Sequence, residues 1–109
     1  MSLTWSIENN TLILNCKIDS IIAGVSIYNP HGVEQANCLL PCSVPTCFAH
    51  HKNGRISQNI TTHETIYTIY TMNGNFKEDI LGNWSCHHGS NVDMAYAFVH
   101  IQIGMYIHI

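Results

Sequence analysis

Gly82-Asn83-Trp84-Ser85-Cys86 is the stretch that decides the fold, because it places a tryptophan two residues before a cysteine. A second cysteine, Cys16, lies within the apolar run Thr11-Leu12-Ile13-Leu14-Asn15-Cys16-Lys17-Ile18. Side chains alternate between the two faces of a β-strand, so Leu12, Leu14 and Cys16 share one face of that run. We therefore expect the face that carries Cys16 to point into a core.

Length and composition indicate one small domain. A chain of 109 residues is long enough for a sandwich of about seven to nine short strands but not for two cores. Charged residues make up only 10% of the chain and the formal net charge is −3, so no basic surface is available for nucleic acid or for a membrane. The charge therefore points to neither partner.

Clusters of glycine, proline and asparagine divide the chain into short segments rich in β-branched and aromatic residues, and none has a helical period. This pattern predicts an all-β domain. The alternation in the last segment places Val99, Ile101 and Ile103 inside, and Tyr96 and Phe98 outside together with His100. The segments predicted as strands are 3–7, 11–18, 22–28, 33–38, one that begins at 54, 65–72 and 95–103.

With Cys16, Gly82, Trp84 and Cys86 in these positions, the chain resembles an immunoglobulin domain of the variable or intermediate type. The resemblance extends over residues 3–103 of a single domain that spans residues 1–109. It implies a two-sheet antiparallel Greek-key sandwich, a disulfide between Cys16 and Cys86 across the two sheets, and an aromatic residue that closes one end of the core.

The chain departs from the family pattern in two places. No tryptophan occurs on the third segment, and Ile80 occupies the position where the family has an aspartate that pairs with an arginine. Asp79 lies one residue earlier, so an ion pair between Arg55 and Asp79 remains a hypothesis. Phe76, ten residues before Cys86, agrees with the family, which has an apolar corner residue at this position.

Cys38, Cys42 and Cys47 remain after the first pair, and an odd number of cysteines leaves one thiol over. A bridge between Cys38 and Cys47 is preferred, because these two residues flank a proline-containing stretch and would pin the ends of a loop. A bridge between Cys38 and Cys42 is the next choice. In the preferred arrangement Cys42 is free or pairs between chains. Five cysteines in so short a chain suggest an oxidising compartment.

Sequons and targeting features point outside the cell. Asn9, Asn59 and Asn83 each begin an N-x-S/T motif and are candidate glycosylation sites. No signal peptide precedes the first strand, and no run of about 18 apolar residues could span a bilayer. The expectation is an ectodomain fragment of a cell-surface protein, or a secreted domain.

The histidines allow three chemical alternatives, all less favoured than recognition. A Cys3His zinc site could use the three remaining cysteines with His50, but the spacing is not a strong signature. A blue-copper site could use Cys86, His88 and Met94. A thiolate pair of Cys47 with His50 or His51 lacks an orienting third group. The sequence therefore predicts neither an enzyme nor a bound metal or cofactor.

The predicted binding surface is an aromatic patch on an open sheet face. If Val99 and Ile101 are buried, Tyr96 and Phe98 lie on the outer face of the last strand, beside His87 and Tyr28 on neighbouring strands. The expected function is protein recognition by a receptor or adhesion molecule, with another protein or a second copy of the domain as partner. The alternative is a secreted module without an adhesive role.

Overall fold

A computed structural model of the chain describes residues 1–19, 22–39, 46–60, 65–74, 80–89 and 93–100. These residues form nine strands and are nearly all β. The strands are β1 (Ser2–Glu8), β2 (Thr11–Ile18), β3 (Val25–Tyr28), β4 (Glu34–Leu39), β5 (Thr46–Ala49), β6 (Gly54–Ile60), β7 (Ile66–Asn73), β8 (Gly82–His88) and β9 (Asp93–Val99).

The strands form two antiparallel sheets, as the sequence predicts. One sheet has the order β1-β2-β7-β6 and the other has the order β5-β4-β3-β8-β9. β4 and β5 extend the second sheet beyond β3, and β8 lies inside this sheet between β3 and β9.

The core lies between the sheets and is centred on a disulfide. Cys16 of β2 and Cys86 of β8 are bonded and fully buried, and they join the two sheets as the resemblance implies. Ile27 pairs directly with Cys86 and is also fully buried, so a β-branched residue packs beside the bridge on β3. The predicted inward face of β2 is confirmed, because Leu12 and Leu14 are both buried.

Trp84 lies in the core and is fixed there by a specific hydrogen bond. Its side chain is buried, and the indole N–H donates to the main-chain carbonyl of Ile80, four residues earlier, at 2.8 Å. In immunoglobulin domains a tyrosine at the same distance from the second cysteine bonds back to the chain in this way. Gly82, between these residues, has a φ of 126°, which a side chain would disfavour.

Tyr70 fills the space beside Trp84, with the two ring centroids 6.3 Å apart. Its side chain is fully buried, and its hydroxyl has no hydrogen-bond partner among the described residues. A Cβ added at Gly54 would lie 2.6 Å from this hydroxyl. Glycine at the start of β6 is therefore needed to admit the tyrosine ring.

The five-stranded sheet differs from the prediction at two places. β3 begins at Val25, not at Ile22, and Ile22 is exposed outside the strand. The stretch around Cys47 was expected to be a stapled loop, but Thr46–Ala49 forms the edge strand β5. The bridge between Cys38 and Cys47 does form, and it links directly paired residues of β4 and β5. It is a cross-strand bridge, not a loop staple.

The β1–β2 hairpin turns at Asn9 and Asn10, whose φ angles are 50° and 60°. Positive φ at both positions is the requirement of the type I′ turn, and asparagine tolerates it better than most residues. The turn therefore sets the register of β1 on β2.

Several expectations fall outside the described residues. These are the Arg55–Asp79 ion pair, the role of Phe76, the free or intermolecular Cys42, and the orientations of Ile101 and Ile103. Within the described ranges, no helix has the length and apolar character needed to cross a membrane.

We expect Trp84→Phe to lower the free energy of unfolding by about 1–3 kcal/mol, because the buried carbonyl of Ile80 loses its donor while most of the aromatic bulk is kept. Urea denaturation of the oxidised protein measures the change. Trp5→Phe is the matched control, since Trp5 is only partly buried on the edge strand β1. Equal losses in the two variants would refute the role given to the indole hydrogen bond.

Tyr70 gives a second prediction, on alkaline stability. Burial raises the pKa of Tyr70 to about 12, whereas an unfolded tyrosine loses its proton near 10. The stabilisation contributed by the buried, neutral Tyr70 hydroxyl is therefore fully present below pH 10. It should be lost as the pH rises toward 12, which lowers the free energy of unfolding by at most roughly 3 kcal/mol.

The Tyr70→Phe variant should lack this component, and at neutral pH it should be no less stable than the natural protein, because an unpartnered hydroxyl is removed. Unfolding free energies measured at several pH values between 8 and 11.5 (a range on the order of the titration window) test both statements. Tyr67→Phe, on the other face of β7, is the control. Parallel pH profiles for the natural protein and Tyr70→Phe would contradict the prediction.

Candidate functional site

The candidate site is the outer face of the five-stranded sheet. Cys86 points into the core, so the alternate residues Asn83, Ser85 and His87 of β8 point outward. The register pairs Asn83 with Phe98 and Ser85 with Tyr96 on β9. It also pairs His87 with Ser26, and Ser85 with Tyr28, on β3.

The structure brings the four sequence-predicted contact residues onto this one face. Tyr28 and His87 are in ring contact, with centroids 4.4 Å apart, and His87 Nε2 lies 3.0 Å from the Ser85 hydroxyl. Tyr96 is 57% exposed and Phe98 is 62% exposed. We refer to Tyr28, His87, Tyr96 and Phe98 as the aromatic patch.

The aromatic patch continues around the β9 edge through His100. The His100 ring stacks on Phe98 with centroids 6.1 Å apart and meets Trp5 of β1 edge-on at 5.4 Å. Phe98 is therefore supported on one side, and its other side remains open to solvent. An aromatic ring held in this way loses less rotamer freedom when a partner packs on it.

The opposite edge of the same face carries two apolar residues that the sequence analysis missed. Leu39 of β4 is 55% exposed and Phe48 of β5 is 51% exposed. Each of them directly follows a cysteine of the cross-strand bridge, and this sequence position could have predicted that they are exposed. Because Cys38 points inward in a strand, the residue after it must point outward, and the same holds after Cys47.

Between the two apolar edges lies a polar cluster around Glu34. Its carboxylate accepts hydrogen bonds from Asn37 at 3.0 Å and from His50 at 2.7 Å. Partial burial opposes ionisation of Glu34, but the hydrogen bonds from His50, Asn37 and Ser26, with the charge of His50, outweigh it. The pKa of Glu34 consequently lies below 4.5.

No lysine or arginine of the described strands lies on this face. Lys17 and Arg55 are exposed on the outer side of the four-stranded sheet, and Lys52 lies in the β5–β6 turn. That opposite surface also presents serine, threonine and asparagine, for example Thr4, Ser57 and others at alternate positions of β1, β2, β6 and β7. The two outer surfaces of the sandwich therefore differ in polarity.

The three sequon asparagines are all exposed, but they lie on different surfaces. Asn9 is in the β1–β2 turn, and Asn59 is on the outer side of the edge strand β6. Asn83 lies on the outer face of the five-stranded sheet, directly opposite Phe98. Only the third sequon is part of the candidate site.

His88 belongs to the inner side of the sheet, where its ring is nearly buried and both nitrogens are in use. The main-chain N–H of Ile22 donates to Nε2 at 3.1 Å, so the ring proton resides on Nδ1, which donates to the Asp93 carboxylate at 2.9 Å. His88 thereby ties the segment before β3 to the start of β9, a role that sequence reasoning did not foresee.

The metal alternatives lose ligands to the disulfides. Cys86 is bonded to Cys16, so it offers no thiolate to copper beside His88 and Met94. Cys38 and Cys47 are bonded to each other, which removes two sulfurs from the zinc alternative and the thiolate from the pair with His50. Among the described residues, no group of three or more potential ligands converges on one point.

A scan against protein-family models and searches of the curated proteins and of the solved structures found no match to this chain.

The Glu34 cluster yields a prediction on acid stability. Because the pKa of Glu34 is lowered in the fold, its contribution is present above pH 4.5 and is lost as the pH falls through the folded-state value. Glu34→Gln should cost no more than about 1 kcal/mol near neutrality, and the difference from the natural protein should vanish toward pH 3, on the order of the lowest pH where carboxylates still titrate. Unfolding free energies across this range measure it, with Glu8→Gln on β1 as control. A difference that is independent of pH would contradict the prediction.

Proposed function

We propose that this chain is an extracellular immunoglobulin-like domain of the variable type that recognises a protein through the outer face of its five-stranded sheet. The strand order supports the family, because two strands beyond β3 extend the second sheet as in variable-type domains. The bridge between Cys16 and Cys86 and the hydrogen bond from the Trp84 indole to Ile80 support it as well. The two disulfides indicate an oxidising environment, which fits a secreted or cell-surface protein.

The observation that carries the proposal is the segregation of exposed apolar side chains. Of the six large hydrophobic residues that are exposed in the described part of the chain, four lie on this face, namely Leu39, Phe48, Tyr96 and Phe98. Single exposed hydrophobic residues are ordinary, whereas several on one face typically mark a contact surface. Aromatic residues in such a surface often dominate binding energy.

The proposed partner is a second copy of the domain. The Glu34 carboxylate accepts hydrogen bonds from His50 and Asn37, and no lysine or arginine of the described strands lies on this face. Two copies can therefore bring these faces together with little repulsion between like charges. A two-fold pairing would bury the same residues on both copies, as expected for an isologous interface.

The biological setting that fits this chemistry is a cell-surface receptor or adhesion molecule, in which the domain meets an identical domain on another molecule. A secreted domain without adhesive function predicts a monomer instead. The two possibilities differ in a property that can be measured on the isolated chain.

We expect the unglycosylated, oxidised domain to self-associate reversibly, and the double variant Tyr96→Ser/Phe98→Ser to raise the dimer Kd by about tenfold or more, because hot-spot residues each contribute over about 1 kcal/mol. Sedimentation velocity over a range of protein concentrations measures the Kd. Both side chains are largely exposed, so the variant should keep the thermal unfolding transition of the natural protein.

Tyr67→Ser is the matched control for this experiment, because it removes an aromatic ring from the outer face of the other sheet. It should leave the Kd unchanged. A domain that stays monomeric at all concentrations would refute recognition of a second copy. Association that the double variant does not weaken would refute the aromatic patch as its site.

A further inference from the structure

Asn83 stands at the border of the aromatic patch. It is exposed, points to the same side as Tyr96 and Phe98, and has Phe98 as its direct cross-strand neighbour. The Cβ atoms of such a pair are roughly 5 Å apart. A group attached to the Asn83 amide must therefore extend over or beside the Phe98 ring, whose open side faces the solvent.

We propose that Asn83 carries an N-linked glycan whose first sugars cover Phe98, so that occupancy of this sequon decides whether the aromatic patch is available to a second copy. The control of pairing between two copies rests on the proposed function, whereas the contact between the glycan and Phe98 does not. A sugar ring has an apolar C–H side that can pack on an aromatic ring, while its hydroxyl groups remain hydrated. A glycan here would replace solvent on Phe98 and would exclude a protein surface.

The covalent step is ordinary N-glycosylation. The amide nitrogen of Asn83 bonds to the anomeric carbon of an oligosaccharide donated as a lipid-linked diphosphate. The bond from that carbon to the diphosphate oxygen breaks, and the amide releases one proton. Nothing is oxidised or reduced.

The folded domain hides the rest of the sequon. Trp84 is buried, Ser85 is 8% exposed, and β8 is hydrogen-bonded between β3 and β9. An enzyme that must read Asn83, Trp84 and Ser85 as an accessible segment can act only before β8 pairs. Glycosylation therefore competes with folding, and we expect a mixture of occupied and unoccupied molecules.

The other two sequons offer an internal comparison. Asn59 is exposed on an edge strand of the opposite sheet, and Asn9 is in a hairpin turn. Glycans at these positions would not lie on the aromatic patch. An effect on the aromatic patch should therefore depend on whether Asn83 is glycosylated, and not on how many glycans the chain carries.

The experiment uses the full chain with Asn9→Gln and Asn59→Gln, so that Asn83 is the only remaining sequon. After expression in a host that N-glycosylates, lectin affinity separates occupied from unoccupied molecules, and peptide mass spectrometry locates the glycan. We expect both fractions, with a dimer Kd at least about tenfold higher for the occupied one. The matched control retains Asn59 and carries Asn83→Gln, and its two fractions should have the same Kd.

A second measurement does not depend on association. Unfolding midpoints of the occupied and unoccupied fractions are compared in the natural background and with Phe98→Ser. The glycan should raise the unfolding midpoint when Phe98 is present. In the Phe98→Ser variant the glycan should raise the midpoint less, or not at all.

These outcomes separate the two proposals. An unoccupied Asn83, or a glycan effect that is the same with and without Phe98, would overturn the glycan contact. Equal Kd values for the two fractions of a self-associating domain would overturn its control of the patch. A domain that never dimerises would defeat the proposed function, while a Phe98-dependent shift of the midpoint would still support the contact.

Discussion

The disulfide between Cys16 and Cys86 is the constraint on which the rest of the structure depends. It joins an inner strand of each sheet, β2 and β8, and closes a sequence separation of 70 residues, for which the chain-entropy estimate is roughly 4 kcal/mol. A small domain has a net stability of only about 5–15 kcal/mol, so the bridge is a large share of it. Trp84 and Tyr70 then fill the space beside the bridge, and the indole hydrogen bond to Ile80 ties the approach to β8 against the core.

The same constraint also orders the outer surface. Once Cys86 points inward, the alternation of β8 sends Asn83, Ser85 and His87 outward, and the ladders to β3 and β9 align Tyr28, Tyr96 and Phe98 with them. The second bridge does the same at the other edge, where inward-pointing Cys38 and Cys47 leave Leu39 and Phe48 exposed. Core cysteines and surface hydrophobic residues are thus two consequences of one register.

The sequence predicts this fold well wherever a period of two surrounds a buried residue. It places Leu12, Leu14, Val99 and the four residues of the aromatic patch correctly, because alternation decides their faces. It fails at β5, where a strand of only Thr46–Ala49 follows two prolines and is held by pairing with β4, a tertiary effect that local composition does not carry. The sequence does not indicate the role of His88 for a similar reason, since its partners Ile22 and Asp93 come together only when β3 and β9 have both paired with β8.

A surface of this kind also poses a solubility problem, and the chain has few charges with which to solve it. Charged residues are 10% of the sequence, and the described lysines and arginine lie away from the aromatic patch. An exposed apolar face with few charges promotes association, and either a partner or a hydrated group would remove it from water. Asn83, opposite Phe98, is placed to carry the hydrated group. The hydrogen bond between Glu34 and His50 allows a second copy to approach as the partner. A second copy and a glycan would therefore compete for the same side of Phe98, because each removes the same ring from water.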